Sequence, residues 1–521
     1  MVLNVSLKER DDTDRLATEH RTTSSRNQRF DYFYCVSSAR TVVDRVVRAL
    51  VGSRADWRPP GLLPAGRPRF GFPHLGVVII VITLMTGWWA FADSVGVRGR
   101  HVQETYDAST ALFAGSVGIV AMTWTHILAT RIRFLEPFFG GLDRAYRWHR
   151  WMGGIGIAGT FLHGQLVGRI KGIPGASKFL ADTGVGAANI SEVVLYILLG
   201  ISLARWIPYR WWRLTHKLMF PAYVLACFHF YTAEKPFGNG EPWGRWYSTL
   251  MIIGITAGVY RLLWRDLIRR GRPYRVARLR RSERTVEVVL EPVGPQLRGK
   301  VGQFVFLRVD VKGLGEPHPY TIASTPEERE MRFFIRTDGD WGRRLSEQVA
   351  VGDIVMVEGP YGGTSPLPAR TTRQAVWIAG GVGITPFLSA VAHLRTAPRE
   401  PKPVLFYAVL DESTAIALDE LRDAHEAGLI DLHIIEERRD GRMSGDDFDR
   451  AFPKGLRGCH IMFCGPHGLI RATARAAKAR GARRLNIEEF DIRSGIGPDL
   501  THDVEELIDA TSAALAARRS R

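Results

Sequence analysis

Residues 75–92 carry no charged side chain, and residues 108–130 carry none apart from His126. A helix that crosses a bilayer needs roughly 20 mostly apolar residues, so these stretches rule out a purely soluble fold. Six apolar segments lie between residues 74 and 264, with cores at 75–92, 108–130, 151–167, 193–204, 218–233 and 246–260. The last three are short, and their flanking Trp, Tyr and Arg side chains extend them towards the interface. Arginines fill three of the connections. Arg131, Arg133, Arg144, Arg147 and Arg150 lie in 131–150, Arg205, Arg210 and Arg213 in 205–217, and Arg261, Arg265, Arg269, Arg270, Arg272 and Arg275 in 261–275. The 93–107, 168–192 and 234–245 connections are richer in Gly, Asp and Glu. The positive-inside rule then puts both termini of the six spans in the cytoplasm, and a cell inner membrane is the expected location. It also assigns the net charge of +17 to membrane orientation, which removes the need for a nucleic-acid partner.

Residues 1–70 are polar and basic and show no secretory signal peptide. They are expected to form a cytoplasmic extension without an ordered fold. The four cysteines, Cys35, Cys227, Cys459 and Cys464, contain no C-x-x-C pair. That argues against a disulfide framework, a four-cysteine zinc site and a plant-type iron–sulfur cluster.

Ionisable residues inside a membrane are costly and therefore candidate functional groups. The third segment brings His149 and His163, the fifth His216 and His229. His149 and His163 stand 14 residues apart, about 21 Å along a helix and nearly on one face. His216 and His229 stand 13 apart, which in an ideal helix turns them roughly 140° away from each other. Pro221 lies between them and can change the winding. Spans three and five run in the same direction, so His149 can meet His216 and His163 can meet His229. Two facing neutral imidazoles can clamp one haem iron. The pattern thus predicts two haem sites, with Arg147, Arg150 and Arg213 near the inner one. Taken singly, each histidine also fits an inter-helix hydrogen bond, which is the reading for His126.

Beyond residue 272 the texture alternates as strands do, for example in Thr285–Leu290 and Val301–Leu307. From 374 strands alternate with helical stretches, as in a parallel sheet. The string His318-Pro319-Tyr320-Thr321 closes a strand, and its aromatic beside a hydroxyl suits a flavin. Arg336 with the turn at Gly339 and Trp341 can approach a pyrophosphate. Gly380, Gly381 and Gly383 follow an apolar strand and open a helix, with Thr385 as a candidate cap and Pro386 in the first turn. Cys464-Gly465-Pro466 ends a later strand, where α/β sheets bind ligands. Cys464 can face a nicotinamide or simply fill the core. Arg438 and Arg439 follow another strand and are candidates for a 2′-phosphate, pointing to NADPH with NADH as the alternative.

These motifs, in this order from about residue 74 to 493, resemble the ferric reductase and NADPH oxidase superfamily. The resemblance implies a multi-domain chain in which a six-helix transmembrane bundle precedes an antiparallel β-barrel FAD domain and a Rossmann-like α/β NAD(P) domain. Expected boundaries are 71–268, 272–370 and 371–493, with a tail at 494–521. It implies two haem b, FAD and NAD(P)H as cofactors. Tyr320 and Thr321 would contact the flavin ring, and Arg336 and the Gly339 turn its phosphates. Residues 380–386 with Cys464, Gly465 and Pro466 would hold the nicotinamide cofactor, and Phe490 would stack on the flavin. Gly342 stands where the family often has Thr or Ser. The implied enzyme is a transmembrane oxidoreductase passing electrons outward to dioxygen or to ferric or cupric complexes. The alternative is a haem-free, membrane-anchored flavin reductase or docking subunit.

Overall fold

The computed structural model describes residues 74–91, 102–167, 175–204, 206–207, 209–268, 271–309, 311, 313–367, 373–483 and 485–488. The expected extension at 1–70, the tail at 494–521 and Phe490 lie outside the described residues.

Six longer helices follow the six apolar segments: α1 (Leu75–Phe91), α2 (Val102–Ala129), α4 (Leu142–Leu166), α5 (Lys178–Leu203), α7 (Met219–Thr232) and α8 (Pro242–Val259). Short helices α3 (Glu136–Phe139) and α6 (Tyr209–His216) sit in the connections, and α8 runs on as a π-helical stretch, Tyr260–Ile268. Among the described residues, three helical stretches are long and apolar enough to cross a membrane: Ser109–Ala129, Lys178–Leu203 and Pro242–Arg265. Large apolar side chains point outward, such as Ile79, Val81 and Ile82 on α1 and Ile190, Val193 and Ile197 on α5. Small residues face the helix contacts instead, as lipid-embedded bundles require. α2 and α4 touch backbone to backbone. A Cβ at Gly159 would stand 2.7 Å from the Ala114 main-chain oxygen and 2.9 Å from the Gly118 nitrogen. Gly159→Leu is therefore expected to push the two helices apart and cost about 1–3 kcal/mol, seen as a lower thermal unfolding midpoint in detergent.

Two expectations need correction here. The fourth segment is longer than its 193–204 core, because residues 178–192 are helical and not connection. Their small residues hide the span from a hydropathy reading but serve packing, since a Cβ at Gly184 would run into Thr232 on α7. The fifth segment is also not continuous, because the helix breaks at Lys217 and Leu218 and leaves His216 at the end of α6.

Six antiparallel strands follow: β1 (Arg272–Arg281), β2 (Thr285–Pro292), β3 (Phe304–Val309), β4 (His318–Thr321), β5 (Met331–Arg336) and β6 (Ile354–Tyr361). Their order is β4-β3-β6-β1-β2-β5. Just past β4, the Ala323 N–H donates to the Arg332 carbonyl of β5 at 2.8 Å, which brings the two edges into a nearly closed barrel. Alternation along β2 buries Val286, Val288 and Leu290 in its core, and helix α9 (Asp340–Gln348) adds Trp341 and Leu345 to that core.

The last domain is a parallel sheet of β7 (Ala375–Gly380), β8 (Val404–Val409), β9 (Asp431–Glu436), β10 (His460–Cys464) and β11 (Leu485–Glu488), in the order β11-β10-β7-β8-β9. Every residue of β7 is buried, as befits a central strand covered on both faces.

Candidate functional site

The four histidines meet in the expected pairs. The His149 and His216 ring centroids lie 6.2 Å apart, and so do those of His163 and His229. The rings of each pair are inclined at 62° and 60°. An imidazole–metal–imidazole axis needs a metal–nitrogen bond of about 2 Å on each side, which with the rings themselves spans roughly 6 Å. Both gaps therefore suit one iron, with no shift of either helix.

Hydrogen bonds set the tautomers on α4. His149 Nδ1 lies 2.9 Å from the Thr125 carbonyl and His163 Nδ1 lies 2.7 Å from the Ala111 carbonyl, both on α2. A carbonyl only accepts, so each Nδ1 carries the proton and each Nε2 keeps its lone pair for a metal. Gly115 on α2 makes room for this, because a Cβ there would come 2.8 Å from His163 Nδ1. On the other side His216 and His229 keep Nδ1 buried without a hydrogen bond of normal geometry, the Gly184 main chain facing His229. Trp212 stacks on His216 at 4.9 Å. The residues thus fit two haems. His126 has a local role, with Nδ1 2.8 Å from its own helix's Met122 carbonyl and the ring stacked on Tyr223 at 4.6 Å.

The break in the fifth segment reduces the angular mismatch. Pro221 has no N–H to give the Lys217 carbonyl, which accepts from Phe220 at 3.2 Å instead. Lys217 and Leu218 likewise bond three residues back, to Leu214 and Thr215. Three-residue bonds wind the chain about 120° per residue in place of about 100°. Over these few residues the tighter winding recovers about 60–80° of the roughly 140°, and both rings reach their partners on α4.

The barrel presents a second cluster. Tyr320 and His318 lie over Trp341, with ring centroids at 5.4 and 4.8 Å. The Thr321 hydroxyl is buried and has no partner, so it stands ready for a ligand acceptor or donor. Arg336 pairs with Asp338 at the surface, beside Gly339 at the N-cap of α9. Gly342 is glycine for a packing reason: a Cβ would collide with the Arg336 carbonyl. Trp341 itself is buried, its Nε1 donating to Leu314 O at 3.4 Å, and forms the floor under Tyr320. Burial, aided by Arg213, lowers the His318 imidazole from 6.5 to about 4. The unfolded chain then takes up this proton first as pH falls. Stability is intact above about pH 6.5 and declines from there towards pH 4. Thermal melts at neutral and mildly acidic pH should show that loss, and His318→Gln should weaken it.

In the parallel sheet the two glycine motifs interlock at the carboxyl ends of neighbouring strands β7 and β10. A Cβ at Gly383 would strike the Cys464 carbonyl, and one at Gly465 would stand 2.9 Å from Gly380 N. Gly381 has φ +53°, open to glycine at little cost. Pro386 occupies the first turn of α10 (Thr385–Leu394) as expected. Thr385 does not cap that helix. It is already the first helical residue, and its hydroxyl donates to Val382 O at 3.1 Å, because a 3-10 turn at Gly381–Ile384 leads straight into the helix. The Cys464 side chain is wholly buried in the sheet's core. Arg438 and Arg439 lie past β9 in a set of ion pairs.

Sequence reasoning missed the residues that join barrel and bundle. Arg265 donates to the Thr130 carbonyl, to Glu358 and to Tyr361. Arg131 lies 3.8 Å from Glu358 and 3.8 Å over the Phe306 ring, and its Nε donates to Tyr146. Burial alone would raise the Glu358 carboxyl, but the two arginines outweigh it and hold it below the usual range. Glu136 accepts from Gly362 N at 2.6 Å and Leu142 N at 3.2 Å. Arg213, three residues before His216, pairs with Glu316 at 3.8 Å, two residues before His318. Their sequence signal was only the arginine excess of these loops, which read as a topology marker.

Comparisons with known proteins agree with this architecture. Residues 114–227 match the family described as ferric reductase like transmembrane component, residues 279–365 an FAD-binding domain and residues 377–475 an oxidoreductase NAD-binding domain. The "Probable cell surface ferric reductase kap2" of Aspergillus oryzae is 25% identical over 388 residues, which cover 67% of this chain and 49% of that protein. NADPH oxidase 1 of Mus musculus is 30% identical over 164 residues, covering 27% of this chain and 28% of its own. The phthalate 4,5-dioxygenase oxygenase reductase subunit of Pseudomonas putida is 30% identical over 169 residues, 32% of this chain and 50% of its own. The chain spans half or less of the length of these three relatives. With all three domains in this order, the chain is a membrane-integral member of the ferric reductase and NADPH oxidase superfamily.

Proposed function

We propose that this chain takes electrons from cytoplasmic NAD(P)H and delivers them, by way of FAD and two haem b groups, to an acceptor on the outer side. The acceptor class is dioxygen, yielding superoxide, or a ferric or cupric complex. The observation that carries the reading is the pair of equal 6.2 Å histidine gaps, in one chain with an FAD-binding and an NAD-binding domain. When bound, the flavin turns a hydride into two single electrons and the haems pass these one at a time across the bilayer.

The chain's own residues do the rest. His149 with His216 hold the inner iron, and His163 with His229 the outer one. The Thr125 and Ala111 carbonyls fix their tautomers. Tyr320, Thr321 and Arg336 hold the flavin, and Phe490 completes that site. Residues 380–386 with Cys464-Gly465-Pro466 present the nicotinamide. All six longer helices span, with both termini cytoplasmic. Arg131, Arg213 and Arg265, in the basic connections that set this orientation, are the same residues that grip the barrel. The flavin domain therefore docks on the cytoplasmic side.

A reduced-minus-oxidised spectrum of membranes carrying the chain, grown with adequate haem supply, tests this. A b-type Soret difference is expected, and its absence would refute the reading in favour of a haem-free reductase. Superoxide dismutase-sensitive reduction of a dye, compared with reduction of a ferric chelate, assigns the acceptor.

A further inference from the structure

In doubly wound sheets the end of the second strand meets the adenine ribose. An acidic side chain there accepts from the 2′-hydroxyl of NAD, whereas an arginine accommodates the 2′-phosphate of NADP. The first strand here is β7 with its glycine loop. The second is β8, paired in parallel with it so that Gly380 stands opposite Ala408. The Tyr407 hydroxyl near the end of β8 donates to the Gly381 carbonyl at 3.3 Å, which ties this strand end to the glycine loop. Two residues past the end of β8 stands Asp411, followed by Glu412.

The nearby arginines do not form an open phosphate site. Arg438 lies 2.9 Å from Asp411. Arg439 lies 3.0 Å from Glu436, 2.9 Å from Asp440 and 4.0 Å from Glu412. Glu412 also takes Arg422 at 2.6 Å. The Asp411 carboxylate lies inward, 17% exposed, while Arg438 lies outward at 66%. Four carboxylates thus face three guanidinium groups. A 2′-phosphate, itself a dianion or nearly so, would have to draw the arginines away from carboxylates that stay behind. A ribose hydroxyl only has to donate to Asp411. The Ser413 hydroxyl and Arg438 keep that carboxyl below its usual range, so it is an ionised acceptor at neutral pH.

We propose that Asp411, seconded by Glu412, is the specificity-determining residue of the nicotinamide site and selects NADH over NADPH by accepting the adenine ribose 2′-hydroxyl. This rests on the reading that residues 380–386 and 464–466 hold the dinucleotide. It reverses the expectation drawn from Arg438 and Arg439 alone.

The full-length protein, loaded with FAD and haem in detergent or nanodiscs, is mixed anaerobically with NADH or NADPH and flavin bleaching is followed. NADH is expected to give at least a tenfold higher kcat/KM, the difference lying in KM. Asp411→Ser should move the ratio at least tenfold towards NADPH, chiefly through a higher KM for NADH, with FAD content unchanged as the folding control. Asp411→Asn, which keeps the shape, should move it the same way by a smaller factor. Binding of adenosine 2′,5′-bisphosphate by calorimetry should tighten in both variants while adenosine 5′-monophosphate weakens. Equal or better use of NADPH by the unmodified protein, or an unchanged ratio in both variants, would overturn the assignment and leave the electron-transfer reading standing. A flavin bleached by neither dinucleotide would overturn that reading and the assignment with it.

Discussion

His163→Leu is expected to halve the haem content of the purified protein and to stop delivery of electrons to any outer acceptor. Bleaching of the flavin by NAD(P)H should proceed unchanged. Leucine is as compatible with the membrane as the helix around it, so α4 survives the change. What disappears is the Nε2 lone pair whose orientation the Ala111 carbonyl fixes at 2.7 Å. One imidazole on His229 is left facing an aliphatic side chain. Loss of a whole ligand should exceed the roughly 10–100-fold loss of metal affinity that follows when only a supporting hydrogen bond is removed. A pyridine haemochrome assay with a reduced-minus-oxidised spectrum reads the result. Two haems retained per chain would sink the pairing of His163 with His229. The same change at His149 should remove the other haem and break transfer one step earlier.

Glu358→Gln should uncouple the flavin from the bundle. Glu358 is the carboxylate between Arg131 and Arg265; Arg265 is buried and the other two are largely so. Taking one partner out of a buried ion pair typically costs about 3–5 kcal/mol, because the charge left behind has lost its solvation. Here Arg265 would be left with the Thr130 and Arg131 carbonyls and Tyr361, and Arg131 with Tyr146 and the Phe306 ring, with no carboxylate for either. The barrel core lies elsewhere, so the barrel should keep its fold and its flavin, and a soluble dye should still be reduced. Haem reduction by NAD(P)H, followed by stopped-flow absorbance, should slow at least tenfold, and thermal unfolding should begin several degrees earlier. Haem reduction at the unaltered rate would show that this junction does not position the two halves.

Three textures along the chain announced the three kinds of structure. Apolar runs became the helices, alternation as in Thr285–Leu290 became a barrel strand, and the strand–glycine–helix string at 375–394 became the first unit of a parallel sheet. The histidine pairs were legible because a charge-bearing ring in an apolar run is conspicuous. The angular fault between His216 and His229 was visible too, but its remedy was not, since it depends on where the Lys217 carbonyl finds a donor once Pro221 cannot supply one. Thr385 was misassigned as a cap because a 3-10 turn before the helix leaves no trace in composition. The junction was not readable at all. Arg265 and Glu358 lie 93 positions apart, and an isolated Glu near the end of a strand looks like any solvated side chain.

The glycine seam between α2 and α4 has one more implication. The two carbonyls that hold His149 and His163 belong to α2, Thr125 and Ala111, spaced along it as the histidines are along α4. With backbones already touching at Gly118 and Gly159, neither helix can slide or roll without losing both anchors together. Any adjustment of the two histidine gaps therefore falls to the side of α6 and α7, where the winding already changes at Lys217 and Leu218.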